Sequence, residues 1–593
     1  MRYLKRIRYS LWDNRQVCLS TSAISILFNG KQILSAMLEK KLIENWQWVC
    51  MWLLVILASI YARPPIPIDE TRYLSVAWEM WQNNDFLVPH INGHPYSHKP
   101  PLLFWLIHLF WLLFGVGEWS ARIVAPLFGL GSLLVTVKLA KLLWPEDRAV
   151  GAATPYLLSG SIIWTIYGSL TMFDTLLTFF SLLGLVCIFK ARQRKCILPW
   201  IGLSLSIGFG ILAKGPVLLL YLLPSLFLAP WWSSSETFCW KNWFNSSLIA
   251  FISGLAIAAC WALPAARSGG PEYEQAILLS QTAGRMVHAF AHDRPFYWYL
   301  AFIPLLSFPW LFWLPVWRGW KGKPAEQSAR FCIGALLPSF CILSFVSGKQ
   351  LHYILPLLPV GAIYCAHLVT SVKRQNAHDN APLIIIFCII SLALFLIPKL
   401  SLTGGDREIL QYIPSGIFII PLGCATALKV IRPVTVLGSI KTISSCMLIF
   451  VVFLQLALSD RLHTMYDQST IGEKLNTVQK QGRLVAVFPQ KMSDQFQFSG
   501  RLTHPLQPID SYENLAGWAF NHPQQYCLLF TKSENYRILM GKGLASSYRN
   551  GWLIFRPAKG FSADYRDWLA HSTKNTATPA IEIAHAYGQT FAR

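Results

Sequence analysis

Long apolar runs, most of them about 16 to 23 residues in length, recur between residues 46 and 458. A helix needs about 20 consecutive apolar residues to cross the hydrocarbon core of a bilayer. The chain of 593 residues is 54% hydrophobic and only 13% charged, whereas soluble domains carry about a quarter charged residues. The sequence therefore predicts a polytopic α-helical membrane protein.

These runs predict thirteen membrane-spanning helices. They lie near residues 46–62, 122–144, 149–167, 171–190, 197–213, 215–231, 246–265, 298–317, 329–346, 351–371, 382–398, 412–430 and 440–458. The run 102–116 is similarly apolar, but a spanning helix there would turn every later basic cluster outward. If the run instead lies buried at the membrane surface, those clusters and the basic N-terminus all face the cytoplasm, as the positive-inside rule requires.

The net charge of +22 follows from the same rule. The cations stand in short clusters between apolar runs, which favours loops on the cytoplasmic side over a nucleic-acid surface. The cytoplasmic loops are too short for a nucleotide-binding domain, and neither GxxxxGK[ST] nor GxGxxG occurs in the sequence. The sequence therefore predicts no nucleic-acid partner and no nucleotide site.

This topology divides the chain into three parts. Residues 1–45 form a basic cytoplasmic segment, residues 46–458 a transmembrane domain with a first outer loop at 63–121, and residues 459–593 an outer globular tail. Short apolar runs in the tail predict strands with helices between them, and hence an α/β domain. These runs lie at 483–488, 526–531 and 551–557.

The first outer loop contains "IDETRYLSVAWEMW" and "NGHPYSHKPPLLFW", which are rich in ionisable residues. Asp69 and Glu70 are adjacent and cannot point the same way on a regular element. One of them is therefore expected to support the other, and the alternative is a pair of solvated loop carboxylates. Lys99 precedes two prolines, which stiffen the chain around its ammonium group. A cation held in this way suits a bound anion.

Each later outer turn also carries ionisable residues at the membrane surface, where such groups are costly and usually functional. Asp174 in "TMFDTLL" has the alternative explanation that a carboxylate is favoured in the first turn of a helix. Lys214 in "AKGP" has the alternative explanation of a snorkelling lysine. Further ionisable or polar residues on the same predicted side are Arg285, His288, His292, Arg294, Lys349, His352 and Tyr353.

Together these residues predict carboxylates surrounded by cations on the outer face. Arginine and lysine suit a phosphate group, and carboxylates suit a general base or the orientation of a polar acceptor. Because nothing on the cytoplasmic side can hold a nucleotide, an anionic substrate is expected to arrive on a lipid, as a sugar on a polyprenyl monophosphate would. The rivals are a transporter or lipid flippase, although no two halves of the chain repeat, and a non-catalytic membrane scaffold.

Seven motifs occur in order along the chain: "DETRY", "HPYSHKPPLLFW", "GVGEWSARI", "TMFDTLL", "AKGP", "HDRPFYWYL" and "SGKQLHYILPLLP". In order and spacing, from about residue 46 to 360, they resemble the polyprenyl-monophosphate-dependent GT-C glycosyltransferases. That family includes the aminoarabinose lipid A transferases and the protein O-mannosyltransferases. The resemblance implies a GT-C fold with about thirteen transmembrane helices and a C-terminal extracytoplasmic α/β domain.

The resemblance also implies roles for single residues. Asp69 is the main catalytic candidate with Glu70 beside it, and Asp174 is expected to line the same cavity. Contacts with the donor or its phosphate are implied for Arg72, Tyr96, Lys99 and Tyr353, and the outward cations Lys214, Arg285 and Lys349 are predicted to add to them.

The metal content is left open by one departure from the family. In the aminoarabinose transferases the residue before "KPP" is acidic, and that site can hold a divalent metal together with a histidine further along the chain. Here the two positions are His98 and His292. A zinc ion on two imidazoles is one expectation, and the absence of any required cofactor is the other.

The implied reaction is a single displacement with inversion at C1 of the sugar, with polyprenyl phosphate as the leaving group. Its expected place is the periplasmic face of a bacterial inner membrane, with the N-terminus in the cytoplasm. Lipid A is the expected acceptor, and the alternatives are a protein hydroxyl or another envelope glycan.

Overall fold

A computed structural model describes residues 46–575 of the chain, apart from 195, 234–237, 279–293, 321–325, 373–374, 377, 400–413, 415 and 534. It divides into two units, Met1–Cys50 and Met51–Arg593. Only the start of the first helix is described in the first unit, so the architecture is that of the second unit. The predicted basic segment 1–45 and the predicted site residues Arg285 and His292 lie outside the described residues.

Helices make up most of the described chain. Numbered in order, they are α1 Trp46–Ala62, α2 Asp69–Asn83, α3 Leu102–Phe114, α4 Glu118–Arg122, α5 Val124–Leu143, α6 Arg148–Ser159, α7 Ile162–Tyr167, α8 Phe173–Gln193, α9 Leu198–Lys214, α10 Leu219–Phe227, α11 Ala229–Trp232, α12 Trp240–Ser268, α13 Pro271–Gln275, α14 Trp298–Leu306, α15 Leu314–Gly319, α16 Gln327–Phe345, α17 Leu358–Thr370, α18 Ala381–Leu396, α19 Ile419–Val430, α20 Val436–Ala457, α21 Ser459–Tyr466, α22 Ser469–Lys480, α23 Tyr512–Asn521, α24 Tyr536–Met540 and α25 Phe561–Asn575. The strands are β1 His90–Ile91, β2 His94–Pro95, β3 Val485–Phe488, β4 Gln507–Pro508, β5 Tyr526–Thr531, β6 Leu544–Tyr548 and β7 Gly551–Pro557.

The multi-pass membrane architecture predicted from the apolar runs is confirmed. Within the described ranges, six helices are long and apolar enough to cross a bilayer: Glu118–Leu143, Phe173–Gln193, Trp240–Ser268, Gln327–Phe345, Leu351–Thr370 and Val436–Ala457. Shorter apolar helices occupy other predicted spans: Trp46–Ala62, Leu198–Lys214, Pro216–Phe227, Ala381–Leu396 and Ile419–Val430. The total of thirteen crossings stays a prediction.

Some predicted spans are broken into shorter helices. The span expected at 298–317 consists of α14, a 3₁₀ turn at Trp310–Phe312 and α15, and it contains Pro304, Pro309 and Pro315. Proline has no backbone N–H to donate and its ring crowds the preceding turn. The hydrophobic pattern is continuous across this segment, so the breaks follow from the prolines.

Helix α3 matches the apolar run that was predicted to lie at the membrane surface. Its 13 residues extend about 20 Å, which is short of the roughly 30 Å of a bilayer core. One face, with Phe104, Ile107 and Trp111, is buried, whereas Leu112 and Leu113 are exposed. A helix of this length with one covered face fits the predicted surface position.

The first outer loop continues from α2 into a short hairpin of β1 and β2. Its turn consists of Asn92 and Gly93, both with positive φ (50° and 80°), which is the sequence preferred in tight hairpin turns. A side chain at Gly93 would also collide with Pro505, because an added Cβ would lie 2.8 Å from its Cγ. The Asn92 side chain bonds both backbone groups of Leu506, at 2.9 and 2.7 Å.

The tail contains a five-stranded mixed sheet in the order β4-β3-β5-β7-β6. Strand β3 pairs in parallel with β4 and β5, and β7 pairs antiparallel with β5 and β6. The predicted α/β character and the three predicted strands, now β3, β5 and β7, are confirmed. Strands β4 ("QP") and β6 ("LASSY") were not predicted, because they are short or polar and have no apolar run.

The tail packs on the first outer loop through aromatic and backbone contacts. The Phe498 ring is parallel to Trp111 of α3, with centroids 5.6 Å apart. Trp78 of α2 donates a hydrogen bond to the Leu502 carbonyl at 2.9 Å, and the Arg501 guanidinium lies 3.8 Å from the Phe498 ring centroid. Helix α2, which begins with Asp69, is therefore held by the tail.

Candidate active site

Asp69 is the first residue of α2. Acidic residues in the first turn of a helix interact favourably with its dipole, and Asp69 and Glu70 both stand there. Asp69 is half-buried, and its Oδ1 accepts a hydrogen bond from the Tyr73 hydroxyl one turn along, at 3.3 Å. Among the described residues this carboxylate has one side-chain hydrogen-bond partner, and it lines an open cavity, as a group that meets a substrate needs.

Glu70 points the other way and lies in a closed set of partners. Its carboxylate pairs with the Arg63 guanidinium and accepts the backbone N–H groups of Ile66 at 2.9 Å and Thr171 at 2.7 Å. Burial alone would raise the pKa of Glu70, but Arg63, Arg122 and the two backbone bonds outweigh it and lower the pKa to about 2. Glu70 is thus a permanent anion that joins the first outer loop to the turn before α8.

Asp174, the second residue of α8, lies in a second buried pair. The Lys214 ammonium, at the end of α9, is 2.5 Å from its Oδ1. His352, in the 3₁₀ turn Leu351–Leu357, has Nε2 4.0 Å from Oδ2 of the same carboxylate. Lys214 also stands 4.8 Å from the ring centroid of Tyr353. The Asp174 carboxylate at the start of α8 thereby contacts both the end of α9 and the 3₁₀ turn, which are distant from it in sequence.

The basic cluster that was predicted for the cytoplasm lies at the far end of α8. Asp174 is in the first turn of this helix, and Lys190 and Arg192 are in its last turn. A rise of about 1.5 Å per residue along α8 separates these groups by about 25 Å. This separation agrees with the predicted topology, in which the site and the basic loops lie on opposite faces.

Lys99 reaches the same group from the first outer loop. Its ammonium lies 5.9 Å from the ring centroid of Phe173, the residue before Asp174, and it is close enough for the two charges to interact. Tyr96 is buried and stacks with His98 at 5.3 Å. Of the predicted donor contacts in this loop, Lys99 therefore lies beside Asp174.

Arg72 is one turn along α2 from Asp69 and faces the tail. Its Nε is buried and has no hydrogen-bond partner among the described residues. Burial raises the pKa of Asp494 in the tail, and the charge of Arg72 opposes that rise. Arg72 is therefore near Asp494 as well as near Asp69.

An open cavity of about 360 Å³ lies beside Asp69. Its lining includes the predicted residues Asp69, Glu70 and Lys349, and also Arg294, Tyr167 and His352. Lys349 is buried and donates to the carbonyls of Arg294 at 2.8 Å and Val346 at 2.5 Å. Asp174 and Lys214 are not among the lining residues, and they adjoin the cavity through His352.

The described residues do not assemble a metal centre. Zinc sites use three or four His, Cys, Asp or Glu ligands, and no group of three or more such residues is close enough within the described ranges. His98 is exposed and stacked on Tyr96. The second predicted ligand, His292, lies outside the described residues, so the zinc site stays a prediction.

Two site residues were missed or underrated at the level of sequence. Arg63 follows α1 directly and would stand on the outer side, where the positive-inside rule disfavours an arginine. This departure from the rule could have indicated from the sequence that Arg63 belongs to the site. His352 was noted within "SGKQLHYILPLLP" but was not assigned to the site. Its contact with Asp174 joins positions 178 residues apart (352 − 174), which no local pattern shows.

Sequence comparison gives related enzymes. The family model described as dolichyl-phosphate-mannose-protein mannosyltransferase matches residues 98–266. The undecaprenyl phosphate-alpha-4-amino-4-deoxy-L-arabinose arabinosyl transferase of Edwardsiella ictaluri is 28% identical over 336 residues, which are 54% of this chain and 60% of the relative. A transferase of the same name from Pseudomonas fluorescens, numbered 2, is 27% identical over 410 residues, 65% of this chain and 68% of the relative. The match to the first of these relatives thus spans less than two thirds of its length.

Structure comparison gives the same fold. Crystal structures of ArnT from Cupriavidus metallidurans, in the apo state and bound to undecaprenyl phosphate, each superpose with a TM-score of 0.68. They cover 86% of this chain and 97% of ArnT, at 17% and 18% identity. The chain therefore shares the fold of ArnT, and the resemblance of its motifs to the GT-C glycosyltransferases is confirmed by these matches.

Proposed function

We propose that this protein transfers a sugar from a polyprenyl monophosphate to an envelope acceptor, with inversion at the sugar's C1. The proposed donor is 4-amino-4-deoxy-L-arabinose on undecaprenyl phosphate, and the proposed acceptor is lipid A. The observation that carries this proposal is the cavity beside Asp69, where a half-buried carboxylate stands next to the Lys214–Asp174–His352 group.

The donor phosphate would be bound by cations. As the bond between C1 and the phosphate oxygen breaks, its electron pair passes to the phosphate, and the added negative charge needs positive groups fixed in advance. Lys99 is the cation best placed for this, because it is beside Phe173 and interacts with Asp174. Arg72 and Lys349 would supply further positive charge around the leaving group.

Asp69 would act on the acceptor. Both adjacent residues line the cavity, but Asp69 is half-buried, whereas Glu70 is buried and engaged by Arg63 and two backbone N–H groups. A carboxylate in this position can orient an acceptor or remove its proton. We assign Glu70 to holding the loop rather than to the chemistry.

The proposal includes a sidedness. The N-terminal segment 1–45 would lie in the cytoplasm, the catalytic part would be residues 46–458, and the tail 459–593 would lie in the periplasm of a bacterial inner membrane. The support is the position of Lys190 and Arg192 at the opposite end of α8 from Asp174. Cysteine labelling from each side of the membrane would check the assignment.

The transfer itself is directly testable. Purified protein in lipid nanodiscs should move the aminosugar from its undecaprenyl phosphate carrier to lipid A, and the product should carry the mass of one added 4-amino-4-deoxypentosyl group. The Lys99→Ala variant should lose about 10- to 1000-fold in turnover, because it removes a charge that meets the leaving group. An unchanged rate in Lys99→Ala would contradict the phosphate assignment, and movement of the intact lipid without transfer would favour the flippase.

A second candidate acceptor is a hydroxyl group, on a protein or another glycan, and the match to the mannosyltransferase family favours it. A lipid A phosphate is already ionised and barely needs a base, whereas a hydroxyl does. The Asp69→Asn variant should therefore keep substantial turnover on a phosphate acceptor and lose about 100-fold or more on a hydroxyl. Parallel assays with lipid A and a serine-containing acceptor peptide distinguish the two.

A further inference from the structure

Trp298 is a large aromatic residue in the wall of the cavity beside Asp69. It is the first residue of α14, it is half-buried, and it lines the same space as Asp69. Neither the ion pairs nor the cations of the site account for a tryptophan at this place. A side chain of this size at the cavity wall is in a position to contact a bound substrate directly.

The Trp298 ring is held in place by its neighbours. Its centroid lies 4.6 Å from that of Phe302 and 5.1 Å from that of Tyr299. The buried Tyr299 in turn donates its hydroxyl to the carbonyl of Gln350 at 3.0 Å, and Gln350 lines the same cavity. Because the ring is already ordered by this packing, little conformational freedom remains to be lost when a ligand binds against it.

The indole N–H of Trp298 is available to a further partner. On the same broken helical segment, Trp310 donates its N–H to the Leu157 carbonyl at 2.7 Å, and Trp313 donates to Oδ1 of Asn380 at 3.0 Å. Among the described residues, none accepts a hydrogen bond from the N–H of Trp298. Since a buried tryptophan N–H usually finds an acceptor, the half-buried Trp298 has a donor that a bound molecule could use.

The proposed donor has three parts of different chemistry, and each needs a different kind of wall. Its phosphate suits cations such as Arg294 and Lys349, which line the cavity. Its isoprenoid tail is apolar and has no acceptor for an N–H group. Its sugar ring combines apolar C–H faces with oxygen atoms at the edge, and a tryptophan combines an apolar face with a polar N–H. Of the three parts, the sugar is therefore the one that matches Trp298.

We propose that Trp298 recognises the sugar of the lipid-linked donor, with its indole face against the C–H groups of the sugar ring and its N–H donating to one of the sugar's oxygens. This inference rests on the proposed function and names the residue that distinguishes a sugar-bearing carrier from the bare carrier phosphate. Aromatic walls with a few placed polar groups are the usual means by which a pocket fixes a ligand's orientation. Trp298 takes part in no bond breaking, so its contribution is to donor binding and sugar selectivity.

The test uses the full chain in nanodiscs, without acceptor, and two probes that differ only in the sugar. The probes are undecaprenyl phosphate and undecaprenyl phosphate that carries 4-amino-4-deoxy-L-arabinose. The Trp298→Leu variant should bind the sugar-bearing probe about 10- to 100-fold more weakly than the native protein, and undecaprenyl phosphate within about 2-fold of it. The Trp298→Phe variant keeps an aromatic face without the N–H, and it should lose about 3- to 10-fold on the sugar-bearing probe alone.

The matched control is Trp317→Leu. Trp317 stands on α15, at the other end of the same broken segment, where it is 54% exposed and donates its N–H to the Leu311 carbonyl at 2.7 Å. This variant should bind both probes as the native protein does. If Trp298→Leu fails to fold, Trp298→Phe, which keeps a ring against Phe302, carries the test.

The outcomes separate this inference from the proposed function. A Trp298→Leu variant that binds the sugar-bearing probe as well as the native protein, or loses equally on both probes, would overturn the role of Trp298 alone. A native protein that binds neither probe would overturn the proposed function and this role together. With a third probe, undecaprenyl phosphate that carries mannose, a native preference for mannose that Trp298→Leu abolishes would support the role of Trp298 and contradict aminoarabinose as the sugar. In transfer assays, Trp298→Leu should raise the donor KM about 10-fold and leave kcat within about 2-fold, because the contact is made before and during transfer.

Discussion

The Lys214→Met variant is expected to lose both stability and transfer activity. Methionine keeps much of the side-chain volume but removes the ammonium group that stands 2.5 Å from Asp174. Asp174 is 2% exposed, so its charge would be left without its direct ion-pair partner. Breaking a buried pair by removing one partner costs about 3 to 5 kcal/mol. Thermal unfolding in detergent and the transfer assay measure the two effects.

The double variant Lys214→Met/Asp174→Asn separates folding from chemistry. Replacing both partners removes the unpaired charge, so most of the lost stability should return, and the two changes should be strongly non-additive. Transfer should stay lost, because the group beside the cavity then has neither the Asp174 carboxylate nor the Lys214 ammonium. Lys190→Met, at the opposite end of α8, is the control and should leave both properties near the native values. A stable Lys214→Met protein, or an active double variant, would contradict the assigned pair.

Much of this architecture could be predicted because its signals are local. Apolar length and period identify membrane helices without tertiary information, and the helix positions agree with the apolar runs. The charge pattern around the run 102–116 predicted a surface helix, and α3 is indeed too short to cross. Alternating helix directions then predicted that Asp174 and Lys214, 40 residues apart, would stand at the same end, and they form an ion pair.

The pairings inside the site could not be predicted in the same way. The sequence around Glu70 contains no pattern that indicates Arg63 as its partner rather than water. Glu70 was therefore grouped with the catalytic candidates. The pairing depends on α1 ending beside the turn before α8, where Thr171 donates to the same carboxylate. The bond of Asn92 to Leu506 joins residues 414 apart. Such contacts follow from tertiary packing and leave no periodic trace in the sequence.

Glu70→Gln should destabilise the protein strongly, whereas Asp69→Asn should not. The glutamine keeps the shape of the side chain but leaves the buried Arg63 guanidinium without a counter-charge, which costs about 3 to 5 kcal/mol. Asp69 is half-buried, and within the part of the chain that the structure describes its side-chain partner is the Tyr73 hydroxyl at 3.3 Å. The two neighbouring carboxylates should therefore differ in what their variants change. Glu70→Gln should lower both the melting temperature and the transfer rate, whereas Asp69→Asn should lower only the transfer rate on a hydroxyl acceptor.

The pH dependence gives the Glu70 prediction a second readout. The pKa of Glu70 is lowered to about 2 in the folded protein, below its value of about 4.3 in an unfolded chain. The Arg63–Glu70 pair therefore contributes its full stability above the pKa that Glu70 has in the unfolded chain, and this contribution is lost only as the pH falls toward 2. Between pH 8 and pH 5 the difference in melting temperature between native protein and Glu70→Gln should stay constant.

The matched control is Glu118→Gln. The Glu118 side chain is 45% exposed, so solvent screens its pairing with Arg122, and the melting temperature of this variant should remain close to the native value. A Glu70→Gln protein as stable as Glu118→Gln would mean that the loop and the turn before α8 are not joined through this carboxylate.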